Sequence, residues 1–295
     1  MKKISRDNCV YEMSPHNKPV MHVSPGEQLM FETWDALHGQ LVSDESGLES
    51  MNYNPATGPV YIENAEPGDI LSVRIDKIEV EAKGVVICGK GMGVLGGILE
   101  GTVSKELSIE GDMAVFSDTI RLPLNKMIGV IGTAPGDEVI PCSTPDYHGG
   151  NLDCKEIKEG ATVLLPVCVP GALLALGDLH AVMADGEIGI SGLEVCGTVT
   201  LTVDLIKGKN LPLPMIVNDS HIMTLASHTD LDTAVDMAVA NMHKYLQSDG
   251  FDTYDAAMLI SLIGDVRICQ VVDPKKTARV VFPKKYLNRS EQDGL

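Results

Sequence analysis

Turn signals punctuate the first two-thirds of this 295-residue chain, and the stretches between them are too short for regular strand–helix alternation. SPGE at 24–27, NPATGP at 54–59, EPGD at 66–69, APGD at 134–137, KEGA at 158–161 and VPGA at 169–172 each place Gly or Pro where a strand would begin or end. After EPGD, Leu71, Val73 and Ile75 alternate with Ser72, Arg74 and Asp76, the period of a half-buried strand. The apolar phase then slips to Ile78 and Val80, which predicts a bulge or bend. The clearest strand runs from Glu194 to Ile206, with Val195, Val199, Leu201, Val203 and Leu205 on one face. Its length suits a curved or sandwich-like sheet.

Helical periodicity appears late. Apolar residues at 231, 234, 235, 238, 242, 245 and 246 define one helical face, with Thr229 or Asp230 as cap and Gly250 past the end. A second helix is expected after Asp252, with Asp255 at its third position, running to about Ile263. Short strands are expected at 268–272 and 278–282. The fold class is therefore α+β, mainly β: curved antiparallel or mixed sheets, sandwich- or barrel-like, with helices grouped near the C-terminus. One domain over 1–295 is expected, with subdomains 1–140 and 141–295 as the alternative division.

Composition bounds the function classes. Twenty-three basic against 41 acidic residues give a formal charge of −18, a surface that repels phosphate backbones and anionic lipid. Nucleic acid and membrane are thus not expected partners. The N-terminal lysines lead into no apolar stretch, and no window approaches the ~20 apolar residues that span a bilayer. The seven cysteines show no C-x-x-C pair, so reduced thiols in a cytoplasmic protein are expected. Gly91-Met92-Gly93-Val94-Leu95-Gly96 fits G-x-G-x-x-G, but the residues after it, Gly97-Ile98-Leu99-Glu100-Gly101, are a poor helix. A pyrophosphate needs a helix N-terminus there, so a glycine-rich turn is the better account.

The chemistry-bearing residues lie between Tyr147 and Glu194. His148-Gly149-Gly150-Asn151-Leu152-Asp153 opens the region, and Gly177-Asp178-Leu179-His180 and Ala184-Asp185-Gly186-Glu187 follow. Asp178 and His180 are two apart, as are Asp185 and Glu187, so each pair would share a face on an extended chain. If 173–180 and 187–195 pair as adjacent strands, all four side chains crowd one end of the pair. Each element alone has a structural explanation, a hydrogen-bonding His or an Asp-Gly turn. Together, carboxylates and an imidazole can hold a divalent metal, or they can supply a general base and acid. Either serves hydrolysis of an unreactive carbonyl.

Several strings taken together resemble the acetamidase/formamidase family. These are NPATGPVY at 54–61, EPGD at 66–69, HGGNLD at 148–153, LPV at 165–167, PGAL at 170–173, GDLHA at 177–181, DGE at 185–187 and QVVDP at 270–274. The resemblance runs in order along nearly the whole chain. It implies hydrolysis of formamide, acetamide or a related small amide or lactam to a carboxylate and ammonia. It implies a β-rich fold, assembly into homodimers or homotetramers, and a divalent metal, zinc or calcium. The family's polar positions carry over to Asp35, Asn151, Asp153, Asp178, His180, Asp185 and Glu187. The mechanism expected for these residues has a metal on His180 with Asp35, Asp178 or Asp153, and Glu187 as general base. Asn151 and the N–H groups of Gly149 and Gly150 would bind the oxyanion. The chain departs from the family's pattern at His228 and at Val182-Met183-Ala184, near the site, which bears on substrate more than on reaction. The alternatives are a metal-free acid/base amidase and a non-catalytic binding or scaffold protein of the same fold.

Overall fold

A computed structural model describes residues 1–39 and 52–288. Among these residues the strands form a nine-stranded sheet, an eleven-stranded sheet and a two-stranded ribbon. Gly197–Ile206 lies inside the first sheet, antiparallel to Gln28–Thr33 on one side and Ile70–Val80 on the other. Its alternation decides how it sits: Val199, Leu201 and Val203 are fully buried, whereas Thr198, Thr200 and Thr202 are half-buried on the opposite face. The bulge expected from the slipped apolar phase falls at Asp76, because Thr200 pairs with Lys77 and Leu201 with Ile75. The bulged Asp76 accepts from Gln28 Nε2 at 3.0 Å and Thr202 Oγ1 at 2.7 Å.

The run from Glu194 is not one strand. Glu194–Val195 belongs to the second sheet, against Leu174–His180 and Lys83–Gly89. The chain changes sheets at Cys196, whose Sγ accepts the Asp35 N–H at 3.3 Å. The apolar run ending in GDLH becomes Leu174–His180, buried at every position, as a strand covered on both faces must be. It pairs with Met127–Gly132 on one edge, and with Ala56–Ile62 and Glu194–Val195 on the other. Its pairing with the segment after it is limited to Leu179 opposite Val195 and His180 opposite Glu194, so residues 181–193 form a longer loop than a hairpin turn. One apolar core joins the sheets, with Phe31, Val73, Leu165, Val199 and Leu201 from the first and Ile131, Leu174, Leu176 and Leu179 from the second. Strands from before and after residue 140 interleave in both sheets: Met127–Gly132 beside Leu174–His180, and Ile70–Val80 beside Thr162–Pro166.

The two helices are Leu231–Ser248 and Thr253–Ile263. Asp230 caps the first by accepting the Thr233 N–H, and Asp252 caps the second through Tyr254 and Asp255, as their types and positions predict. Ala234, Ala238, Met242, Tyr245 and Leu246 bury one face of the first helix against Ile222, Val280 and Phe282 of the nine-stranded sheet. No described helix is long and apolar enough to cross a membrane. The G-x-G-x-x-G segment forms turns with no helix behind it, and Gly91 N–H donates to Gly96 O at 2.9 Å.

The loop after Leu174–His180 is tied down by charge. Arg279, fully buried in Lys276–Pro283, grips Asp185 with Nη1 and Nη2 at 2.9 Å each, and Lys155 Nζ adds a contact at 3.0 Å. Burial alone would raise the Asp185 pKa, but Arg279 and Lys155 outweigh it and hold the carboxyl below its usual range.

Two stability measurements check this packing. Leu201→Ala should cost about 2–5 kcal/mol in urea unfolding, and Thr200→Ala, on the opposite face, less than about 1 kcal/mol; equal costs would reverse the assignment of faces. Asp185→Asn should cost about 3 kcal/mol at neutral pH, because it strands a buried guanidinium. The sign with pH follows from the depressed folded pKa of Asp185. Its stabilisation is full above the unfolded value of about 4 and is lost as pH falls through the folded value. The gap between wild type and variant should therefore close below about pH 4.

Candidate active site

Three of the site's carboxylates stand on backbone that ordinary residues avoid. Asp153, Asp178 and Glu187 have φ of 40°, 58° and 44°, a left-handed conformation that costs about 1–2 kcal/mol per non-glycine residue. Such strain persists where the surrounding structure over-determines it, and it clusters at functional sites. Asp178 and His180 do converge, as their spacing predicts, although Asp178 is a kink within Leu174–His180 rather than a regular strand residue.

The centre of the cluster is His180 Nε2. Around it lie Glu194 Oε1 at 3.1 Å, Asp178 Oδ1 at 3.5 Å, and Asp153 Oδ1 and Glu187 Oε1 at 3.9 Å each. On the other side of the ring, Nδ1 meets Met183 Sδ at 3.2 Å. Sulfur only accepts, so Nδ1 carries a proton toward Met183, and the charged imidazole donates from Nε2 to the acids. Asp273 sits against Asp153 and Asn151. Four buried acids thus surround one imidazole, with Asp273 against one of them, and the ion pairs of the four run to His180 alone among the described residues. Several of their oxygens accept no hydrogen bond: Asp153 Oδ1, Asp178 Oδ1, Glu187 Oε2, Glu194 Oε2 and Asp273 Oδ2.

Burial governs the ionisation. It raises Asp153, Glu187 and Asp273 well above the carboxylate range, with repulsion among the acids adding to it. Burial likewise raises Glu194 to about 8 against the opposing pull of His180. For His180, burial works to lower the pKa, but Glu194 and Asp178 outweigh it and the imidazole lies well above its ordinary value. Such a cluster is stable only with extra protons or with a cation among its oxygens. Two triplets have ligand atoms close enough to share an ion: Asp153, His180 and Glu187, and Asp178, His180 and Glu194. The donor set of one imidazole with carboxylates and unpartnered oxygens fits a divalent metal.

Two glycines make room for the cluster. A Cβ at Gly129 would stand 2.5 Å from Asp153 Oδ1 and 2.6 Å from Asp178 Oδ2, and one at Gly192 would stand 2.7 Å from His180 Nδ1. Polar neighbours then hold the acids. Asn54 Nδ2 donates to Asp178 Oδ2 at 3.1 Å, and Gly192 N–H donates to Glu187 Oε1 at 3.1 Å. Gln270 Oε1 accepts the N–H groups of Val272 and Asp273, shaping the loop that carries Asp273. A cleft of about 330 Å³ opens above the cluster, with Asn151, Asp178, His180, Glu187, Glu194 and Asp273 in its floor.

Two expected members stand elsewhere. Asp35 Oδ1 accepts the N–H groups of Leu37 and Gly39 at 2.9 and 2.8 Å, and its Oδ2 accepts from Cys196 Sγ, so its carboxylate closes a turn and joins neither metal-capable group. Asp185 is turned to Arg279 and Lys155. The expected oxyanion donor Gly149 N–H is spent on Asp146 O at 3.1 Å. His148 is fully buried with neither ring nitrogen partnered; burial, with Lys275, lowers it to about 4, so it stays neutral. Glu194, Asp273 and Asn54 were not singled out from sequence. Glu194 had a signal: it is the only charged residue from 188 to 203, flanked by Leu193 and Val195. An acid in such surroundings needs a partner.

The chain matches the family model described as "Acetamidase/Formamidase family" over residues 5–144 and 140–288. A solved acetamidase from Bacillus halodurans superposes with a TM-score of 0.93 at 46% identity, covering 96% of this chain and 98% of that one. An acetamidase from Mycolicibacterium smegmatis is 26% identical, over 63% of this chain and 63% of its own length. A formamidase from Methylophilus methylotrophus is 27% identical, over 63% of this chain and 61% of its own length. The chain thus spans about three-fifths of the length of these two curated relatives. With the family model matched almost end to end, this chain belongs to the acetamidase/formamidase family.

Proposed function

We propose that the protein hydrolyses the C–N bond of a simple carboxamide, giving a carboxylate and ammonia. The observation that carries this reading is the set of unpartnered carboxylate oxygens gathered around His180 Nε2 at the floor of an open cleft. The membership of the chain in its family supports the same reaction class.

Glu187 is the general base. Its Oε1 is held by Gly192 N–H while Oε2 has no hydrogen-bond partner, and burial, by raising its pKa, makes the ionised carboxylate a stronger proton acceptor for attacking water. Water adds to the amide carbon, Glu187 receives its proton, and the same carboxyl then protonates the departing nitrogen as the C–N bond breaks. Asn151 has an unpartnered Oδ1 at the cleft, so this atom accepts from the substrate –NH₂ and orients it. His180, Asp178 and Glu194, one of the two triplets able to share an ion, would hold the metal, and this choice leaves Glu187 for proton transfer. One imidazole beside carboxylates favours zinc over calcium, which takes oxygen ligands. Such an ion supplies carbonyl polarisation and acidifies water. Asn54 fixes Asp178, and Met183 fixes the His180 tautomer, as partners of metal ligands do.

Glu187→Gln should lower ammonia release from formamide or acetamide by about 10²–10⁴-fold with an unchanged circular dichroism spectrum. A fully active variant would remove Glu187 from the role. Treatment with a chelator should abolish ammonia release, and zinc should restore it. Full activity in a protein shown by elemental analysis to hold no divalent ion would instead establish a metal-free acid/base amidase. Ammonia release from no amide in a broad panel would leave a non-catalytic protein of this fold.

A further inference from the structure

The cleft is built in two halves of opposite character. Its floor is the acid cluster, but its wall is apolar: Leu37, Tyr53, Ile87, Met92 and Ile190. That wall is not an extension of the main core. Leu37 and Ile87 form, with Val85, a separate buried apolar group, and Tyr53 and Ile190 pack against it. Its members come from distant parts of the chain, and nothing in the reacting centre needs them. A volume of about 330 Å³ lies at the lower end of the range that encloses a drug-sized molecule, about 300–1,000 Å³. Formamide, whose acyl substituent is a hydrogen atom, would touch the floor alone.

Resting on the amide-hydrolysis reading, we propose that the substrates are primary amides with an extended apolar acyl chain, which lies along the Leu37–Tyr53–Ile87–Met92–Ile190 wall while the carboxamide meets the acid floor. Each methylene that leaves water for this wall adds transition-state binding, worth about fourfold in kcat/KM. The gain ends when the chain outgrows the cleft.

The test is kcat/KM for formamide, acetamide, butyramide and hexanamide, read as ammonia release from the protein with its native metal content. The expected result is a rising series, with hexanamide at least tenfold above acetamide. Ile87→Ala and Met92→Ala should each reduce the hexanamide-to-acetamide ratio, by about fourfold for each substrate methylene that the shortened side chain no longer covers. Calorimetry on Glu187→Gln supplies a readout without turnover: hexanamide should bind more tightly than acetamide. A flat or falling series with ammonia still released overturns this inference and leaves the amidase reading standing. Tighter binding of hexanamide with no ammonia from any amide does the reverse: the apolar cleft stands and hydrolysis fails. Hexanamide binding no tighter than acetamide overturns the inference whatever the activity.

Discussion

Glu194, Asp178, Asp153 and Glu187 surround a single imidazole nitrogen, with Asp273 against Asp153, and their uncompensated negative charge dictates the backbone built around them. Desolvating one carboxylate costs several kcal/mol, and desolvating a group of them adds their repulsion. The fold meets that cost with geometry: backbone in left-handed conformations, glycines where side chains would collide, and amides aimed at individual oxygens. What geometry leaves unmet is the charge itself, and protons or a divalent ion must balance it.

The architecture explains how residues far apart in sequence reach one point. Leu174–His180 is central in the eleven-stranded sheet and buried throughout, so the end that carries Asp178 and His180 is rigid. Glu194 arrives opposite His180 because the chain pairs there for just two residues before crossing to the other sheet. Asp153 follows Gly149–Asn151, on the far edge of Met127–Gly132, and Gly129 between them lets both carboxylates pass. The loop carrying Glu187 is anchored by the Asp185–Arg279 pair, two residues before the proposed base. A salt bridge that looks purely structural therefore also fixes the loop that carries Glu187.

Much of this was legible in the sequence where the deciding interaction is local. Cap residues Asp230 and Asp252 and the alternation along 197–206 report on neighbours a few positions away, and each matched the structure. The slipped phase after Ile75 marked a real bulge. Asp178 and His180 were readable from their spacing, and Glu187 from its place beside them. Asp35 and Asp185 show the limit. A carboxylate in a polar loop reads the same whether it faces a site, a turn's N–H groups or a guanidinium from Lys276–Pro283, and only long-range packing chooses. Glu194 and Asp273 were hidden for the converse reason, since the partners that define them are at least fourteen residues away, at His180 and Asp153.

If the acid cluster around His180 is a cation site, thermal unfolding of chelator-stripped protein must respond to added zinc. A ligand that binds only the folded state stabilises it by RT ln(1 + [L]/Kd). Tm should rise saturably with zinc, and the rise should be lost in His180→Ala. A Tm that does not respond to zinc or to any other divalent ion, or that responds equally in His180→Ala, would contradict the assignment of a cation to this cluster.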